Sequence, residues 1–129
     1  MNFVIAAKGA KFTIEWYLDQ RGISQAYVFF NKSSTSQQDK VLALFFLMAE
    51  HGKIYNMTKF RHEGDAIYAF KIDQDRYFSF FCKDKKIIIT NAYTKKSPKM
   101  PSKEKEKALL ARKNYIERCQ KGTYYEEEN

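Results

Sequence analysis

Between Ile67 and Tyr93 the chain holds three strand-like runs with almost nothing between them. Ile67–Ile72, Arg76–Cys82 and Lys86–Tyr93 are rich in β-branched and aromatic residues. Asp73-Gln74-Asp75 and Lys83-Asp84-Lys85 separate them as polar turns. Links this short join antiparallel neighbours, because a parallel return needs roughly a dozen residues or more. The chain is therefore committed to an antiparallel meander. Side chains alternate along each run, so Ala69 and Lys71 face one way and Tyr68, Phe70 and Ile72 the other. One face is apolar and suits a helix. The other carries a lysine in mid-strand.

The flanks supply what covers the meander. Lys11–Leu18 reads as a strand, and Asn2–Ala7 as a short strand or no element. Ser24–Asn31 reads as a short helix or an irregular segment. Ser36 followed by Asp39 resembles a capping box, which predicts a helix over 36–51 closed by Gly52 at a left-handed position. That helix is too apolar for an open surface and belongs across the sheet. Both prolines fall in Ser97–Pro101 and end the strands. Ser102 is the expected cap of a last helix running to about Arg118, with Ala108, Ala111, Tyr115 and Cys119 toward the sheet. The element order predicts an α+β fold, with an antiparallel sheet of about four strands packed with helices. A chain of 129 residues suits one domain. Its core is expected at about 11–118, with 119–129 a frayed tail ending in Glu126-Glu127-Glu128.

Charge narrows the partners. Residues 53–121 hold 18 basic and 8 acidic side chains, whereas 1–52 hold 5 and 4. A clustered basic surface is the footprint of a polyanion partner. Most of the bases are lysines, so a plain solvated surface reads the same way on charge alone. Cys82 and Cys119 make no disulfide framework, and His51 and His62 make no zinc signature with them. There is no phosphate-binding glycine loop. The longest apolar run, Val41–Ala49, is far short of the roughly 20 residues a membrane span needs. The N-terminus shows no secretory leader pattern. A soluble cytoplasmic protein, with no membrane partner, is expected.

Lys71, Arg76 and Tyr93 sit at strand positions that converge if the register is right, with Lys95 and Lys96 just beyond. Such a cluster suits phosphodiester chemistry. RNA is cut without metal when its own 2′-hydroxyl attacks the adjacent phosphate. The protein must then orient the attack, stabilise charge on phosphorus and protonate the leaving oxygen. Arginine clamps phosphate through two parallel hydrogen bonds, and a lysine crowded by cations exchanges protons more readily.

Four phrases, in order, resemble the phage-derived HigB-like branch of the RelE toxin superfamily. Leu47-Met48-Ala49-Glu50-His51-Gly52 is similar to the end of that family's apolar helix. Tyr68-Ala69-Phe70-Lys71 and Asp75-Arg76-Tyr77-Phe78-Ser79-Phe80 are similar to two of its strands. Tyr93-Thr94-Lys95-Lys96-Ser97-Pro98-Lys99-Met100-Pro101, ahead of Glu104 and Ala108, is similar to its most specific phrase. The resemblance runs from about Lys11 to Arg118.

It implies a microbial-ribonuclease-type fold and an mRNA endonuclease, ribosome-dependent and metal-independent, the toxin of a type II toxin–antitoxin pair. It implies no cofactor. The implied partners are the ribosome, mRNA and a helix-turn-helix antitoxin of the HigA kind. By motif, Arg76 supports the phosphate, Lys71 acts as base or electrostatic support, and Lys95 or Lys96 supplies the basic group after the last strand. Tyr93 is the candidate stand-in for the family's C-terminal tyrosine. Lys59, Arg61, His62 and Lys99 are candidates for RNA contact, and His62 also for acid or base work. Ala69 occupies the family's Glu position, Lys71 its usual Arg position and Ser79 a frequent Tyr position. The alternative is a degenerate relative that binds RNA or ribosome without cutting, or a phage-derived interaction protein.

Overall fold

A computed structural model describes residues 4–125. The elements run β1 (Ile5–Lys8), β2 (Thr13–Trp16), α1 (Gln25–Lys32), α2 (Thr35–His51), β3 (Phe60–His62), β4 (Tyr68–Ile72), β5 (Asp75–Cys82), β6 (Lys86–Thr94) and α3 (Ser102–Gln120). The α+β class holds, and the three meander strands pair as expected. The sheet has six strands rather than about four, in the order β1-β2-β6-β5-β4-β3. The additional two are its edges, β1 and β3. Each is short and weakly patterned, so only the neighbour it pairs with makes it a strand. The sheet is also not wholly antiparallel. β2 runs parallel to β6, from Thr13 opposite Lys86 to Trp16 opposite Ile89.

Helices cover both faces. On one, α1 and α2, the latter through its own Phe45 and Met48, close over Ile14, Trp16, Phe70, Tyr77, Ile87 and Ile89. On the other, α3 closes over Tyr17, Ile67, Ala69, Phe78, Phe80 and Ile88 with its own Ala108, Ala111 and Tyr115. Cover on both sides explains why Tyr77–Phe80 is a continuous buried run rather than an alternating one. Trp16 is core, in contact with the rings of Tyr27, Phe30, Phe45 and Tyr77.

The helix ends correct two expected caps. Ser34, not Ser36, caps α2, its hydroxyl accepting from the Gln37 N–H at 3.1 Å. Pro101 precedes α3, and Ser102 is already helical, without a side-chain cap. Gly52 does take the left-handed position, with φ 77° and its N–H on the Met48 carbonyl. The β1–β2 loop satisfies a further orphan acceptor of α2, since the N–H groups of Lys11 and Phe12 both donate to Ala49 O at 2.9 Å. Gly9 makes that approach possible, because a Cβ there would lie 2.5 Å from the Ala49 carbonyl carbon.

The chain after 118 also differs from expectation. The helix continues to Gln120, and residues 121–125 are docked rather than frayed. The Tyr124 hydroxyl accepts from the Leu18 N–H at 2.9 Å, and Tyr125 donates to the buried Glu15 carboxylate at 2.7 Å. A carboxylate 5% exposed needs such donors, and Lys86 supplies a second at 3.5 Å. The acidic residues 126–128 lie outside the described residues, as do Asn2 and Phe3 of the first expected strand.

Candidate active site

Register brings the predicted cluster together. Lys71 on β4 lies opposite Arg76 on β5, and Arg76 lies opposite Tyr93 on β6. Cross-strand partners share a face, so the three side chains form one row across the sheet. The row occupies the α3 face, beyond the N-terminal end of that helix. Lys59 extends it at the edge, where the Lys71 N–H donates to the Lys59 carbonyl at 2.8 Å. Arg61, opposite Ala69, occupies the neighbouring row on the same face.

Arg76 is held by the turn that precedes it. Its Nη1 donates to the carbonyls of Asp73 at 2.7 Å and Asp75 at 3.0 Å. These bonds use one nitrogen and leave the Nε–Nη2 edge for a two-point contact with phosphate. The turn is fixed in its turn by α2. Gln37 Nε2 reaches the Ile72 carbonyl and the Asp75 carboxylate, and Lys40 pairs with Asp73 at 3.0 Å. Thr94 donates to the other oxygen of Asp75. Asp73 accepts a positive φ of 53° to make this two-residue link.

Lys71 donates from Nζ to the Met57 carbonyl at 3.3 Å. Burial lowers its pKa, and the charges of Arg76, Arg61 and Lys95 push the same way against an opposing Glu63. Tyr93 moves upward, chiefly through burial, with Glu63 and Glu104 adding to the rise and Arg76 opposing it. Its ring packs edge-on against Phe78, 5.4 Å between centroids. A β-bulge between Phe78 and Ser79 sets where Tyr93 points. At that bulge the Thr90 hydroxyl meets Asn91 Oδ1 at 2.7 Å, and Asn91 Nδ2 donates to the carbonyl and carboxylate of Glu104. The start of α3 is thereby tied beside Tyr93.

The remaining candidates divide. Lys95 joins the cluster, its N–H on the Gln74 carbonyl at 2.7 Å beside the Arg76 turn. Lys96 and Lys99 are exposed in the loop to α3, and no contact among the described residues ties either to the row. His62 lies opposite Tyr68 and packs against its ring, tilted 37° with 4.7 Å between centroids, which sets it on the face away from Lys71. Ser79 is likewise on that far face, buried, its hydroxyl donating to the Tyr68 carbonyl. A tyrosine there would not reach the row.

Glu63 was not singled out from the sequence. It follows Arg61 by two residues in a continuing ladder, with its N–H on the Ile67 carbonyl, so it shares the face of Lys71 and Arg61. Alternation alone pointed there, but a segment read as loop or strand gave no reason to apply it. Among the described residues no three His, Cys, Asp or Glu side chains gather as a metal-holding group.

The fold and the row define a class: a small α+β domain with a cationic strip laid across its sheet. The chain belongs to the family described as phage-derived protein Gp49-like (DUF891), which matches residues 28–113. That span contains α2, the whole β3–β6 meander and the row. The family is one of RelE/HigB-like toxins, associated with toxin–antitoxin systems. No curated protein matches the chain. None of the helices among the described residues is long and apolar enough to cross a membrane.

Proposed function

We propose that the chain is the toxin of a toxin–antitoxin pair, of the HigB-like branch, and that it cuts mRNA on the ribosome in the cytoplasm. The observation that carries this reading is the register of Lys71, Arg76 and Tyr93 across three strands. In the proposed reaction Lys71, as the neutral amine, takes the proton from the RNA 2′-hydroxyl. The lowered pKa raises the fraction of amine ready to do so. The 2′-oxygen then bonds to phosphorus as the bond from phosphorus to the 5′-oxygen breaks. Arg76, with Lys95 beside it, stabilises the charge that gathers on the phosphoryl oxygens. Tyr93 keeps its proton at neutral pH and is placed to give it to the departing 5′-oxygen. The products are a 2′,3′-cyclic phosphate and a 5′-hydroxyl, and no metal takes part. A helix-turn-helix antitoxin of the HigA kind is the proposed partner.

Induced expression in bacteria, with mRNA ends mapped by primer extension, tests the reading. The parent should arrest growth and create new ends at in-frame codon positions. Arg76→Ala should lose both, by about 10²–10³-fold in cutting rate, while remaining folded. A variant as toxic as its parent would remove Arg76 from the site. One observation favours the alternative of a non-cutting RNA- or ribosome-binding module. Ala69, where the family has Glu, is fully buried on the row's own face beside Arg61 and Phe78, so no carboxylate enters there. Folded, soluble protein that binds ribosomes without arrest or new ends would establish that module instead.

A further inference from the structure

A cavity of about 640 Å³ lies between the C-terminal half of α3, the β5–β6 turn and residues 122–125. The proposed cutting chemistry does not use it. It opens where β5 ends, about 20 Å along the strand from Arg76 at roughly 3.3 Å per residue. Volumes of this order accept a ligand of nucleotide size. Aromatic rings form much of the wall, with Phe80, Tyr115 and Tyr124 behind and Tyr125 the ring that solvent reaches, 45% exposed.

The three cations of the cavity are not equivalent. Lys86 is committed, to the Glu15 carboxylate at 3.5 Å and to the Tyr125 ring at 4.0 Å. Lys83 is exposed at the rim. Arg112 lies over the Phe80 ring, 5.8 Å to its centroid, and its Nε is buried without a hydrogen-bond partner among the described residues. The one carboxylate of the lining, Asp84, is exposed at the rim and forms no ion pair with Arg112. The guanidinium lines the cavity and takes part in no ion pair among the described residues, so its charge is available to an anion there.

We infer that this cavity is a second binding site, for a planar aromatic ring bearing an anion, of which a nucleoside monophosphate is the type. The ring stacks on Tyr125, and the phosphate accepts from Arg112 with Lys83 beside it. Stacking on aromatic side chains tolerates any base, and arginine is the side chain best shaped for phosphate. The same chemistry is offered by a free nucleotide and by one nucleotide of an RNA strand.

Calorimetric titration of the full chain with AMP tests the site, with adenosine and inorganic phosphate as controls. AMP should bind, and each control more weakly, because each lacks half of the recognition. Arg112→Gln should weaken AMP by about tenfold or more, the loss expected for a charge-assisted hydrogen bond. Lys83→Glu, an exposed change that leaves packing alone, should weaken it several-fold. Arg76→Ala should bind AMP like the parent. An RNA tetranucleotide that binds through Arg112 more tightly than AMP identifies a strand as the ligand, and equal affinity identifies the free nucleotide. Absence of AMP binding, indifference to Arg112→Gln and Lys83→Glu, or loss in Arg76→Ala would each overturn the site. The growth and primer-extension test reads Arg76 instead, so the two proposals fail separately.

Discussion

The two faces of the sheet share their strands but not their work. Arg76 and Tyr77 are adjacent in sequence and point to opposite faces. Tyr77 is fully buried among Trp16, Phe29 and Phe45, with Ser33 beside its hydroxyl. Burial pushes its pKa far above the ordinary tyrosine value. Arg76 is half-buried, oriented by carbonyls and open along one edge. The α1–α2 face is closed along its length by aromatic packing. The α3 face is closed over only part of its length, and the strand ends that α3 leaves uncovered carry Lys71, Arg76 and Tyr93. One face therefore holds the domain together, while the other divides between packing and chemistry.

That division is open to attack by mutation. The largest effect is expected at the closed face. Phe45→Ala removes a fully buried ring that touches Trp16, Phe70 and Tyr77, and should cost ~3–5 kcal/mol in urea unfolding. If it were neutral, the closed face would not be the source of stability. Next comes Lys71→Met on the open face, expected to slow cutting about 10²-fold or more with little change in unfolding midpoint. The parent's rate should rise with pH as the Lys71 ammonium, already lowered by burial and its cationic neighbours, gives up its proton. The variant's profile should be flat over that range. A parent profile that falls with rising pH would exclude Lys71 as the base.

A smaller effect sharpens the same contrast. Ser34→Ala removes the cap of α2 and should cost about 1 kcal/mol, whereas Ser36→Ala should cost almost nothing. Equal costs in thermal unfolding would contradict the observed start of the helix. The smallest effect is expected at His62, which lies across the sheet from the row. His62→Ala should leave growth arrest and new mRNA ends unchanged, and a loss of either would show that both faces contact RNA.

Much of the site was legible before the fold. Lys71, Arg76, Tyr93 and Lys95 are strand and turn positions whose alternation is a local property. His62 shows where that reading stops. It lies one residue beyond Arg61 in a segment that looked like loop or strand. Until β3 pairs with β4, nothing assigns it a face. Glu63 is hidden for the same reason, and Lys96 and Lys99, candidates by sequence, are not brought to the row because no local rule orients a side chain in the loop before α3.

The sequence by itself determined the meander, the apolar helix across it and the α+β class. These rest on periodicity, turn chemistry and short links, all of which act within a few residues. Tertiary structure alone decided the rest. It set the parallel β2–β6 pair, the edge strands β1 and β3, the docking of residues 121–125 on Glu15 and Leu18, and the cavity that contains Arg112. Each of these depends on which distant surface a segment meets, and the free energy of that meeting is absent from the segment's own residues.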